Sequence, residues 1–71
     1  MKNNIRVERA IKRITQQQLA EMVGVSRQTI NAIEAGKYIP STVLSLKIVS
    51  IFEKEFSEVF QLEDKDWNKG K

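Results

Sequence analysis

The stretch ITQQQLAEMVGVSRQTINAIEAG, Ile14 to Gly36, decides how this chain is read. Thr15 is placed to accept a hydrogen bond from a backbone N–H that a helix start leaves without a partner, and Gln18, three residues on, can reach back to complete a capping box. Ile14 and Leu19 stand where a hydrophobic staple needs them. Leu19, Ala20 and Val23 follow at helical spacing, and Gly24 falls where a helix end wants a residue able to take positive φ. The spacing predicts a helix over about Gln16 to Val23. The same logic repeats at once: Ser26 caps, Val25 staples to Ile30, Ile30 and Ile33 form the inward stripe, and Gly36 closes. A connection of Gly-Val-Ser type between two helices this short forces a sharp crossing, the geometry of a helix-turn-helix.

The outward face of the second helix gives the stretch a chemistry. Arg27, Gln28, Thr29 and Asn31 cluster in its first turn and a half, and none has an apolar task there. Arg presents two donors to guanine, and Gln and Asn present a donor and an acceptor to adenine, so these are candidate base-contacting residues. Thr29 fits a thymine methyl or a phosphate. Backbone N–H groups at the same helix end suit a phosphate. Singly, each of these residues is an ordinary helix-surface residue; together, directly after a capped turn, they read as a recognition helix.

The pattern T-Q-x-x-L-A-x-x-x-G-V-S-x-x-x-I-x-x-x-E-x-G, met by Thr15, Gln16, Leu19, Ala20, Gly24, Val25, Ser26, Ile30, Glu34 and Gly36, resembles the Cro/CI (phage lambda repressor-like, XRE) DNA-binding family. The likeness continues through Pro40-Ser41, Lys47-Ile48 and Val59-Phe60, and is greatest to short repressors of the cytolysin-repressor type. It implies an all-α, five-helix DNA-binding domain, with a small β-ribbon formed by the N- and C-terminal segments. It implies a structural ion pair between Arg9 and Glu34. It also implies a phosphate contact by Gln16, which Ser26, Arg13 and, from the loop after Gly36, Lys37 and Tyr38 are candidates to join by their own chemistry. Tyr38 has an equal reading as a residue packed over a core edge.

Composition narrows the function classes. The chain has 71 residues with no Cys and no His, which removes disulfides, zinc-finger sites, Cys or His nucleophiles and the usual metal ligands together. No phosphate-binding Gly loop or acid pair at a plausible pocket is visible, so an enzyme, a cofactor or a small-molecule ligand is not expected. Net charge is +3, and residues 1–40 hold seven Lys/Arg against three Glu, so the motif-bearing half is the basic half. That suits a polyanion, and an ordinary solvated surface explains so mild a balance almost as well. No signal peptide is legible, and the apolar run from Val43 to Phe52 is too short to span a bilayer, which points to the cytoplasm. A domain this small buries only about 60% of its unfolded surface, so a partner subunit is expected.

Taken in order, residues 5–13 suit a first helix with Ile5 or Val7, Ala10 and Ile14 inward and Lys12 and Arg13 outward. The expected organisation is one domain over 1–71: the motif at about 15–36, helices at 41–53 and 55–60, and a polar tail from 63 that frays from Asn68. In the fourth helix Leu44, Ile48, Val49, Ile51 and Phe52 share one face, leaving Val43 and Leu46 outside it. Leu44, Ile51, Phe56, Val59, Phe60 and Leu62 are expected to supply a dimer surface alongside the core. Where the family has a Gly or Asn and a small capping residue, this chain has Glu53-Lys54-Glu55. Trp67 stands alone in the tail, as an anchor on a dimer or as part of the fraying end.

The function expected is sequence-specific binding of double-stranded DNA by a homodimer at a palindromic operator, most simply as a repressor. An antitoxin that binds DNA and a toxin, and an interaction module that has lost DNA binding, are the alternatives.

Overall fold

In a computed structural model, which describes residues 1–67, six helices and one two-stranded ribbon follow one another as β1 (Lys2–Asn3), α1 (Ile5–Lys12), α2 (Gln16–Val23), α3 (Arg27–Glu34), α4 (Thr42–Phe52), α5 (Phe56–Val59), β2 (Phe60–Gln61) and α6 (Asp64–Trp67). The expected fraying end from Asn68 lies outside the described residues.

The helix starts follow local chemistry. Thr15 Oγ1 accepts from the Gln18 amide at 3.0 Å while Gln18 Oε1 accepts from the Thr15 amide at 2.8 Å, a complete capping box. Ser26 and Ser41 cap α3 and α4 through their hydroxyls. In the departure from the family pattern, Glu55 takes up the cap of α5, its amide bonded to Glu58 at 2.9 Å. The start of α1, which has no obvious cap in the sequence, is served by Asn3, whose Oδ1 accepts from the Ile5 amide.

The ends of α1 to α4 share one form but not one residue type. Gly24 and Gly36 take φ of 80° and 77° at the ends of α2 and α3. The same left-handed turn ends α1 at Arg13 and α4 at Glu53, with φ of 59° and 57°. At both non-glycine sites the residue's own amide and the next one reach back to the helix, Arg13 and Ile14 to the Ala10 and Arg9 carbonyls, Glu53 and Lys54 to the Ser50 and Val49 carbonyls. The hydrogen bonds of a Schellman ending thus hold Arg13 and Glu53 in a conformation a side chain disfavours.

The core is assembled from every helix but α6: Ile5, Leu19, Ala20, Val23, Ile30, Ile33, Leu44, Ile48, Val49, Phe52 and Val59 are buried, with Phe60 from β2. Two expectations are corrected here. On α1 the inward face carries Ile5, Glu8 and Arg9, while Ala10 is exposed and Val7 and Ile11 are 57% and 66% exposed. The helix turns its charges inward because they find partners there: Glu8 faces Lys54 across 4.0 Å, and Arg9 meets Glu34. The surface expected for a dimer also shrinks. Leu44, Val59 and Phe60 are at most 8% exposed within one chain, so they belong to its own core and leave little area beyond it. Val43 and Leu46 do lie outside the buried face of α4.

The ribbon implied by the resemblance is present. β1 and β2 pair antiparallel, Lys2 opposite Gln61 and Asn3 opposite Phe60. Two residues per strand make a weak ladder, and side chains extend it. Asn4 donates from its backbone to the Val59 carbonyl and from its amide to the Glu58 carbonyl. Beyond β2, α6 returns to the ribbon, with Glu63 and Asp66 carboxylates each 3.0 Å from the Met1 amino group. Trp67 is 73% exposed.

Candidate nucleic-acid interface

Everything about α3 is arranged to hold one face in and the other out. Ile30 and Ile33 are at most 1% exposed, and Val25 and Ile14 pack against the same cluster from the positions just before the two caps. Fixing those two isoleucines sets the rotation of the helix. Arg27, Gln28 and Asn31 are in consequence exposed. Thr29 is half-buried, and its hydroxyl is already partnered by Ser26 Oγ at 3.0 Å, so it presents less to a base edge than the other three.

The far end of α3 is fastened by three separate segments. Arg9 of α1 grips Glu34 with two donors, Nε to Oε2 at 2.7 Å and Nη2 to Oε1 at 3.1 Å, the fork that suits a carboxylate. Its remaining nitrogen, Nη1, donates to the Ile14 carbonyl, so one guanidinium ties α1, the start of the turn motif and the end of α3. Asn3 of the ribbon donates to the Ile33 carbonyl at 2.9 Å, a second hydrogen bond to an acceptor that the Gly36 amide already reaches at 3.0 Å. Gln16, first residue of α2, donates from Nε2 to Glu34 Oε1 at 3.0 Å.

Glu34 is therefore the hub. Its side chain is 2% exposed, and burial alone would push its carboxyl up; the hydrogen bonds from Arg9 and Gln16 and the charges of Arg9 and Arg6 outweigh this and hold it below the ordinary carboxylate range. Arg6, whose Nε lies 3.7 Å from Glu34 Oε1, was missed by sequence reasoning. Its position one turn before Arg9 on the same helix face was the available signal. Asn3 carried no such signal, since its partner is a backbone carbonyl 30 positions away.

The phosphate candidates are placed as follows. Gln16 is half-buried with its amide engaged by Glu34, while Ser26, which caps α3, is exposed beside Arg27. Lys37 and Tyr38 follow Gly36 in an exposed loop, Tyr38 being 49% exposed, before buried Pro40 turns the chain into α4. Arg13 is exposed at the end of α1. Among the described residues no cluster of acidic side chains could hold a metal ion, and no helix is long and apolar enough to cross a membrane.

A buried-stripe helix presenting polar side chains from behind a capped glycine turn, braced at its other end by an ion pair, defines the class of compact helix-turn-helix domains. The helix-turn-helix family model HTH_3 matches residues 5–59, and the chain belongs to that family, of XRE type. It is similar to an uncharacterized HTH-type transcriptional regulator of Methanocaldococcus jannaschii, 48% identical over 64 residues covering 90% of this chain and 97% of the relative. The uncharacterized HTH-type transcriptional regulator YgzD of Bacillus subtilis is 46% identical over 66 residues, 93% of this chain and 100% of the relative. One of Archaeoglobus fulgidus is 41% identical over 70 residues, 97% and 100% of the two chains. The family is one of regulators rather than enzymes.

Proposed function

We propose that this protein is a sequence-specific DNA-binding transcriptional regulator that acts in the cytoplasm as a repressor, two copies binding one imperfectly palindromic operator. The observation that carries the reading is the exposure of Arg27, Gln28 and Asn31 on a helix whose opposite face is fully buried and whose end is clamped by Arg9. Side chains that can read base edges are thus held on a rigid element, with Ser26, Lys37, Tyr38 and Arg13 exposed to the phosphates that fix register and the half-buried Gln16 left with one amide hydrogen for them.

Pairing is supported by what one chain leaves in water. Phe56 and Leu62 are 42% and 57% exposed, and Ile51 is half-buried. Ile51 also lines, with Met22, Val43 and Leu46, an open apolar groove of about 460 Å³ between α2 and α4. A twin subunit would cover such surface and bring a second recognition helix into the next major groove, about 34 Å away. Repression then needs only that the bound pair block a promoter.

The test is selection of bound duplexes from a random pool. Enrichment of a sequence made of two inverted half-sites about ten base pairs apart is the expected result. Enrichment of no sequence, with binding equal across the pool, would overturn the proposal.

A further inference from the structure

Three side chains running from the buried end of α3 out to the recognition face form a chain of hydrogen bonds with only one consistent direction. Glu34, ionised between Arg9 and Arg6, can only accept. Gln16 must therefore turn its Nε2 toward it, as it does at 3.0 Å, which puts Gln16 Oε1 on the other side of the amide. That oxygen lies 3.5 Å from Asn31 Nδ2, a long contact in which Asn31 is the donor. Asn31 is left with its Oδ1 and its second Nδ2 hydrogen for anything outside the protein.

We infer that Glu34 and Gln16 act as positioning residues that fix the amide polarity of Asn31, so that Asn31 selects adenine and rejects guanine. The inference rests on the DNA-reading proposal above and deepens it. In the major groove adenine offers an acceptor, N7, beside a donor, N6, and a held amide matches both; guanine offers two acceptors, N7 and O6. A free Asn can turn over to give guanine a second hydrogen. A held one cannot, because turning over would set its carbonyl against that of Gln16. The direction of the chain originates in the charge of Glu34, and its carboxyl, held below the ordinary range, stays an acceptor at neutral pH.

The experiment compares wild type, Asn31→Ala and Gln16→Met on the selected operator and on duplexes in which each adenine in turn is replaced by guanine. Each adenine-to-guanine affinity ratio is taken within one protein, so losses of phosphate affinity or of folded fraction cancel. Asn31→Ala identifies the position read by Asn31 as the one whose preference it erases. At that position Gln16→Met is expected to lower the ratio from about tenfold to about twofold while the ratios elsewhere hold. Gln16→Ala supplies the same comparison with a shorter side chain. An unchanged ratio at that position in both Gln16 variants, or no position whose preference Asn31→Ala erases, would overturn the inference while leaving the regulator reading intact. Failure of the wild type to select any operator would instead overturn that reading, and this inference with it.

Discussion

Arg9 and Glu34, 25 positions apart, meet in a two-pronged ion pair whose carboxylate is almost fully removed from water. A buried pair of this kind orients more than it stabilises, because much of its attraction offsets the cost of dehydrating both charges. Removing one partner is another matter. Arg9→Met is expected to destabilise the fold by about 3 to 5 kcal/mol, since Glu34 would stay buried with only Gln16 and the more distant Arg6 beside it. Arg9→Met with Glu34→Leu should recover most of that loss. Urea unfolding of the two variants measures both values, and a double variant as unstable as the single one would refute the account.

The same carboxylate sets a pH dependence. Folding lowers the Glu34 pKa from its ordinary value of 4.5, so in acid the unfolded chain takes up the proton first. The stability contributed is complete above the ordinary value and is lost as pH falls through the folded one. Asp66, held low by the Glu63 backbone amide and then by the Met1 amino group, acts in the same direction. Wild type should therefore lose stability on acidification below about pH 4.5, and Glu34→Gln should show a shallower loss over the same range in unfolding midpoints.

Glu53 ends α4 in the left-handed region at φ 57°, where glycine is at ease and other residues are not. Glu53→Gly should raise stability by about 1 kcal/mol, outweighing the loss of its exposed contact with Lys12 at 3.6 Å. Thermal melting gives the sign directly. Destabilisation would mean that the side chain contributes more than its backbone strain costs.

Core and partner surface are separable by protein concentration. Phe60, 3% exposed and packed on Phe56 with the ring centres 5.1 Å apart and the planes tilted by 33°, should cost about 3 to 5 kcal/mol when changed to Ala, at every concentration. Phe56→Glu, at a side chain 42% exposed, should leave the fold standing and weaken self-association in sedimentation measurements. A monomeric, unfolded Phe56→Glu would place that residue in the core instead.

On DNA, Gln28→Ala should weaken binding to the selected operator by about 1 to 3 kcal/mol and spare non-specific binding. Lys37→Ala should weaken all sequences alike and reduce the salt slope by about one. Equal loss of specific and non-specific affinity in both variants would show the roles to be misassigned.

How much of this was legible in the sequence follows the range of the forces concerned. Thr15, Ser26 and Ser41 announce α2, α3 and α4 because a cap bonds to a backbone amide within three residues, and Gly24 and Gly36 close helices by their own backbone freedom. The polar face of α3 was readable for the same reason, its rotation being set by Ile30 and Ile33 nearby. The sequence alone therefore determined the turn motif and that Arg27, Gln28 and Asn31 look outward, though not that Thr29 is half-buried against Ser26. Only the tertiary structure decided that α1 buries Glu8 and Arg9 and exposes Ala10, that Val59 and Phe60 belong to the core, and that Arg13 and Glu53 take glycine's conformation. It also decided that Gln16 stands between Glu34 and Asn31. Each of these depends on partners from other elements, and a charge turns inward, or a side chain accepts backbone strain, only where such partners are already in place.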